Sequence, residues 1–140
     1  MVNFKMLGMH GEEMHFRTNV IKADPDTKFE IKPQFNRNMK KIKELPKRRV
    51  AELIVRIEST ASEPKPFDMN IKLVAAFDLE EEIWLVEEEK EFAIAATRIM
   101  FPYLRSMVAN LTTAAMMPPL QLPIIDGGSM FPEDRTEAAN

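Results

Sequence analysis

The stretch VAELIVRIESTASEPKPFDMNIKLVAAF, residues 50–77, decides the fold because apolar and polar residues alternate toward both of its ends. The apolar positions are Ala51, Leu53, Val55 and Ile57 in its first part and Met69, Ile71, Leu73 and Phe77 in its last part. A period of two is typical of a strand with one buried face. The polar segment between them contains two prolines and is typical of a hairpin loop. The stretch therefore predicts two adjacent antiparallel strands.

Three segments upstream alternate with the same period, and each places its large apolar residues on one side. They are VNFKM (2–6), MHFRTNV (14–20) and KFEIKPQF (28–35). We predict half-buried strands in all three. Pro33 cannot donate a hydrogen bond to a neighbouring strand, so the third segment is expected at a sheet edge or a bulge.

The periodicity becomes helical from residue 92 onward. Large or small apolar residues share one predicted side at Phe92, Ala96, Ile99, Met100, Tyr103, Met107 and Leu111. Pro102 lies inside this pattern, where a proline removes one backbone hydrogen bond and costs about 3 kcal/mol. Because the pattern continues across Pro102, we predict one helix with a bend there. The acidic segment before it, residues 78–91, either extends the last strand or forms a short helical link. Strands followed by a helix predict an α+β fold with the helix on one face of the sheet.

Length and composition indicate one globular domain. The chain has 140 residues, 45% hydrophobic and 29% charged, with 19 basic and 22 acidic side chains. The net charge of −3 gives no general attraction to nucleic acid or anionic membranes. The absence of cysteine excludes disulfides and thiolate chemistry and fits a reducing compartment. The first residues lack the apolar core of a signal peptide, and no run is long enough to span a membrane, so we expect a cytoplasmic chain without membrane insertion.

Motifs for catalysis are missing from the sequence. HGEEMH, residues 10–15, offers two histidines, but a strand would place His10 and His15 on opposite faces, so we expect a bulged or turning surface segment and no metal. The only Gly-Gly pair, Gly127-Gly128, is not a phosphate-binding loop, and no nucleophile elbow surrounds any serine. We therefore expect no cofactor and no enzymatic activity.

The run RNMKKIKELPKRR, residues 37–49, carries seven basic residues and one glutamate. Such a run is a candidate nucleic-acid site. No aromatic residue is interleaved for base stacking, so we favour a solvated loop between two strands and no nucleic-acid partner. The run is also a candidate to pair with the acidic residues 78–91 of the same or another subunit.

Eleven methionines are many for this length. Their flexible, polarizable thioethers suit surfaces that accept many partners, although any single one is more simply explained as core. Four of them cluster on the predicted helix and the loop that follows it: Met100, Met107, Met116 and Met117.

The segments IMFPYLRSMVANLT (99–112) and MPPLQLPII (117–125) together carry a family resemblance. The chain resembles the SecB family of export chaperones, in which a Phe-Pro-Tyr-Ala-Arg helix motif precedes a Pro-x-Leu-Asn-Leu-Pro loop. Phe101, Pro102, Tyr103 and Arg105 match the first motif, and Leu104 replaces its alanine. Pro119, Leu120, Leu122 and Pro123 match the second motif, and Gln121 replaces its asparagine.

The resemblance implies a four-stranded antiparallel sheet with a long C-terminal helix packed on it, and a homotetramer built as a dimer of dimers. It also implies ATP-independent holding of unfolded preproteins in an apolar groove, with delivery to SecA. We predict a single domain over residues 1–131 and a flexible tail over residues 132–140. The residues expected to contact clients or shape the groove are Trp84, Phe101, Tyr103, Met117, Leu120 and Leu122. The prolines expected to shape this region are Pro102, Pro119 and Pro123.

The chain departs from the family pattern after the loop. Members usually continue into a second helix and a tail that contacts SecA, whereas DGGSMFPEDRTEAAN, residues 126–140, predicts no such helix. The alternative to an export chaperone is therefore a SecB-like chaperone dedicated to one partner, such as an antitoxin, that does not engage SecA.

Overall fold

The computed structural model describes residues 2–20, 31–122 and 131. Within them the order of elements is β1 (Phe4–Thr18), β2 (Gln34–Ile42), β3 (Leu45–Ile57), β4 (Phe67–Leu79) and α1 (Val86–Ala114). The predicted α+β class is confirmed, as is the four-stranded antiparallel sheet followed by one long helix. No described helix is long and apolar enough to cross a membrane.

The sheet has the order β1-β4-β3-β2, with every neighbouring pair antiparallel. The stretch that decided the fold forms its centre: β3 and β4 pair in register from Ile57 opposite Met69 to Arg48 opposite Asp78. β1 and β2 are the two edges. Pro33 directly precedes β2, in agreement with its expected place at a sheet edge. The part of KFEIKPQF before residue 31 lies outside the described residues.

β1 is one strand of 15 residues, where the sequence predicted two. Register shifts between Met6 and Gly8 and between Gly11 and Glu13 confirm the predicted bulge in this segment. The second bulge also corrects the prediction for the two histidines. Because it adds one residue, His10 and His15 lie on the same face of the sheet, opposite Val74 and Asn70 of β4.

The basic run 37–49 is a hairpin and not the solvated loop that we predicted. β2 ends at Ile42, residues 43 and 44 form the turn, and β3 begins at Leu45. Charged residues follow one another at Lys40-Lys41 and Lys47-Arg48-Arg49, so the apolar–polar alternation typical of a strand is missing from this part of the sequence. Two of its arginines pair with the predicted acidic segment of the same chain, since Arg48 contacts Asp78 at 2.5 Å and Arg49 contacts Glu89 at 2.6 Å.

The core lies between the sheet and α1. The inward residues are buried at every alternate position from Arg49 to Ile57 in β3 and from Phe67 to Leu79 in β4, as their period of two predicted. At one end of the core, Phe4, Phe77 and Phe92 form a cluster of edge-to-face rings with centroids 5.0 to 5.5 Å apart. This cluster ties the start of β1 to the first turns of α1.

α1 runs through Pro102, as predicted. Pro102 and the residue one turn earlier, Arg98, are both exposed, so water can satisfy the carbonyl that loses its partner. The segment before the helix, residues 80–85, is neither strand nor helix. Glu87, Glu88 and Glu89 occupy the first helical turn, where carboxylates interact favourably with the helix dipole.

The predicted buried side of α1 is wrong in its second half by one residue, or about 100°. Leu104, Val108 and Thr112 face the core, whereas Tyr103 is exposed and Met107 is half-buried. The error has a physical cause: Thr97 and Thr112 are fully buried because their hydroxyls donate to carbonyls one turn earlier, and a hydrophobic pattern does not recognise them.

Candidate functional site

The inward face of β1 is incompletely covered, because α1 packs on β3 and β4. By register, Met6, Met9 and Met14 lie on this face, opposite Phe77, Ala75 and Ile71 of β4. Met6 is 41% exposed and Met14 is 61% exposed, while Met9 is partly buried against the core. A row of methionines on the inside of an edge strand therefore reaches solvent.

β1 and α1 lie side by side and run in the same direction. Phe4 contacts Phe92 at the start of both elements, with ring centroids 5.0 Å apart. Farther along, a β-carbon placed on Gly11 would lie 3.0 Å from Cε of Met107. The distances between these two contacts agree along both elements. Phe4 and Gly11 are about 23 Å apart along the strand, and Phe92 and Met107 are about 22 Å apart along the helix.

Tyr103 lies one helical turn before Met107, which places it beside the middle of β1. It is 53% exposed. Here the methionine surface denotes Met6, Met9 and Met14 of β1 together with Tyr103 and Met107 of α1. It combines four thioethers and one aromatic ring along a strand edge.

Gly11 allows Met107 of α1 to approach β1 closely. Its missing side chain leaves space that Met107 and Met14 share, because a β-carbon there would also lie 3.5 Å from the sulfur of Met14. The neighbouring Met107 is itself partly buried against the core. The methionine surface is thus closely packed at Gly11, where the side chains of Met107 and Met14 both approach the strand.

The loop after α1, residues 117–122, is held against the helix by three hydrogen bonds. The amide of Met117 donates to the carbonyl of Thr112 at 3.1 Å, and the amide of Leu120 donates to its hydroxyl at 2.9 Å. Nε of Arg105 donates to the carbonyl of Leu122 at 2.5 Å. Two helical residues therefore determine where this proline-rich loop lies.

The structure separates the residues that we predicted to contact clients. Phe101 and Leu122 are buried in the core, Met117 and Leu120 are partly buried against it, and Tyr103 and Trp84 are exposed. Phe101 packs against Phe35 of β2, on the side of α1 away from β1. Pro102 and Pro119 are exposed, and Pro123 lies outside the described residues.

Trp84 lies apart from the methionine surface, in the link before α1. It is 83% exposed, and the next two residues, Leu85 and Val86, are exposed as well. Sequence reasoning did not single out Met6, Met9 or Met14 for the site. The signal was present in MLGMHGEEMHF, where methionines recur in an alternating segment, but only the position of α1 leaves them uncovered.

A partly buried ion pair joins the β2–β3 hairpin to the first turn of α1. Arg49 donates from Nη2 and Nε to the two carboxylate oxygens of Glu89 at 2.6 and 3.3 Å. Nη1 of Arg49 also donates to the carbonyl of Pro46 at 2.9 Å, and Lys41 adds a contact to Glu89 at 3.5 Å. Burial alone would raise the pKa of Glu89, but the bonds from Arg49 and Lys41 outweigh it and lower the pKa from its usual 4.5.

A second charged group lies on the outward face of the sheet. The carboxylate of Glu52 is buried and contacts Lys40 at 3.1 Å and Lys72 at 3.2 Å, and Lys72 also contacts Glu12 at 2.9 Å. Burial opposes ionisation of Glu52, but its bonds from Lys40, Lys72 and Asn38 lower its pKa overall. Among residues 2–20, 31–122 and 131, no group of histidines and carboxylates has an arrangement that could hold a metal ion.

The family comparison agrees with the arrangement of sheet and helix. A family model described as preprotein translocase subunit SecB matches residues 10–138. The chain belongs to the SecB family. The resemblance seen in the helix and loop motifs is thereby confirmed, and it extends over nearly the whole chain.

Curated relatives carry the description protein-export protein SecB. The one from Anaplasma phagocytophilum is 34% identical over 90 residues, which are 63% of this chain and 57% of that protein. The one from Anaplasma marginale is 33% identical over 79 residues, which are 56% of this chain and 45% of that protein. This SecB-family chain thus spans about half the length of the curated relatives that it matches.

A solved structure shares the fold. It is a SecB-like chaperone from Mycobacterium tuberculosis in complex with a ChAD peptide from the HigA1 antitoxin. The TM-score is 0.72 at 17% sequence identity, covering 87% of this chain and 90% of that one. The likeness supports the SecB-like architecture described above.

Proposed function

We propose that this SecB-family chain is an ATP-independent holdase that binds unfolded preproteins for export through the Sec pathway. The observation that carries the proposal is the methionine surface. It joins exposed thioethers and an aromatic ring along an edge strand of the sheet. We infer that apolar segments of unfolded clients bind there.

The chemistry of the surface suits clients of unrelated sequence. Thioethers on unbranched side chains adapt their shape to different apolar groups at small energetic cost. β1 is an edge strand of the sheet, so the backbone of an extended client segment could pair with it. The side chains of that segment would then contact the methionines. Neither interaction needs a particular client sequence.

The relatives support an export role, since they carry the description protein-export protein SecB. We further infer a cytoplasmic homotetramer that uses no cofactor, has no enzymatic activity and delivers clients to SecA. The buried positions of Phe101 and Leu122 favour a supporting role for these two, in which they hold the helix and loop while Tyr103 contacts the client.

The second candidate is a chaperone dedicated to one partner. It is favoured by the structural neighbour from Mycobacterium tuberculosis, which was solved with an antitoxin peptide. The two candidates differ in client range, because a general holdase retains many unfolded proteins and a dedicated chaperone retains one.

The test measures how strongly the purified chain, without nucleotide, slows the refolding of several unrelated denatured proteins. We expect retardation at stoichiometric amounts, and an affinity loss of roughly ten-fold for Met14→Gln, because a polar amide then faces the apolar client. Met116→Gln is the matched control, since Met116 is 92% exposed in the turn after α1 and outside the methionine surface. The Met116→Gln variant should bind clients with unchanged affinity.

Three outcomes would contradict the proposal. Retention of only one partner would favour the dedicated chaperone, and retention of none would remove the holdase function. If Met14→Gln left client affinity intact but changed the sedimentation coefficient of the chain, the methionine surface would be a contact between subunits.

A further inference from the structure

We draw no further inference here: the strongest candidate, the exposed apolar surface patch of residues 84–86 in the link before α1, borders both Glu82 and lysines of the β2–β3 hairpin, so its charge selects no single partner, and nothing in the described part of the structure shows what covers it.

Discussion

At the scale of single residues, Thr112 shows how one buried hydroxyl positions a loop. It donates to the carbonyls of Val108 and Ala109 at 3.1 and 3.0 Å and accepts from the amide of Leu120 at 2.9 Å. The same residue accepts a second loop amide, from Met117, through its own carbonyl. Thr112 is thus a polar residue at a core position whose hydrogen-bonding groups all have partners in the helix and the loop.

Replacing Thr112 with valine should lower the free energy of unfolding by about 1–3 kcal/mol, because the amide of Leu120 loses its acceptor in a partly buried place. Valine keeps the shape of threonine, so packing changes little. Urea denaturation followed by circular dichroism measures the effect. Thr112→Ser keeps the hydroxyl and should be closer to the unsubstituted chain; equal stability of the valine and serine variants would show that the hydrogen bond is unimportant.

At the scale of secondary-structure elements, the ion pair between Arg49 and Glu89 connects the hairpin to the helix. Arg49 follows two other basic residues, and Glu89 follows two other glutamates. Without its partner, each charge would be repelled by the like charges next to it in the sequence. Bringing the two elements together joins opposite charges in a partly dry place, where their attraction is strongest. The helix start is therefore positioned by the sheet as well as by its own first turn.

Glu89→Gln should lower the free energy of unfolding by about 2 kcal/mol at pH 7, since it leaves the buried Arg49 with a weaker partner. The pKa of Glu89 is lower in the folded chain than its usual 4.5. The folded state therefore binds this proton less readily, and the stabilisation is complete above pH 4.5. It is lost as the pH falls through the folded-state pKa.

The measurement compares urea unfolding of the two proteins between pH 7 and pH 3. The stability difference should be constant at neutral pH and shrink below about pH 4.5. Glu87→Gln is the matched control, because Glu87 also lies in the first turn of α1 but is exposed. A difference that is the same at pH 3 and pH 7 would exclude ionisation of Glu89 as its cause.

At the scale of the whole molecule, the proposed assembly is a homotetramer. In the described part of the chain, the methionine surface and residues 84–86 are two apolar regions that reach solvent. One binding surface for clients and one for other subunits would account for both. The single tryptophan of the chain reports on the second region.

Sedimentation at micromolar concentration should give a mass of about 64 kDa, four times that of the 16.1 kDa chain. If Trp84 lies between subunits, its fluorescence should shift to shorter wavelength on assembly, because the indole leaves water. Trp84→Ala should then reduce the mass. A chain that remains monomeric at all concentrations would contradict the proposed assembly.

The sequence by itself determined the central pair of strands, the continuous helix across Pro102 and the membership of the SecB family. Each rests on local information: alternation of apolar residues, helical spacing and two short motifs. Each of these features involves residues that are close together in the sequence, so it can be recognised without knowing the rest of the fold.

Only the tertiary structure decided where the candidate site lies. The family motifs predicted that Phe101 and Leu122 belong to the site, but both side chains are buried in the core. The sequence predicted only an ordinary strand for Met6 and Met14, but both side chains are exposed. Helix burial depended on hydroxyls such as that of Thr112, and the faces of His10 and His15 depended on one inserted residue in β1. Whether a residue is buried depends on what lies opposite it in the fold. The position of α1, which covers β3 and β4 but leaves β1 incompletely covered, depends on contacts between residues distant in sequence.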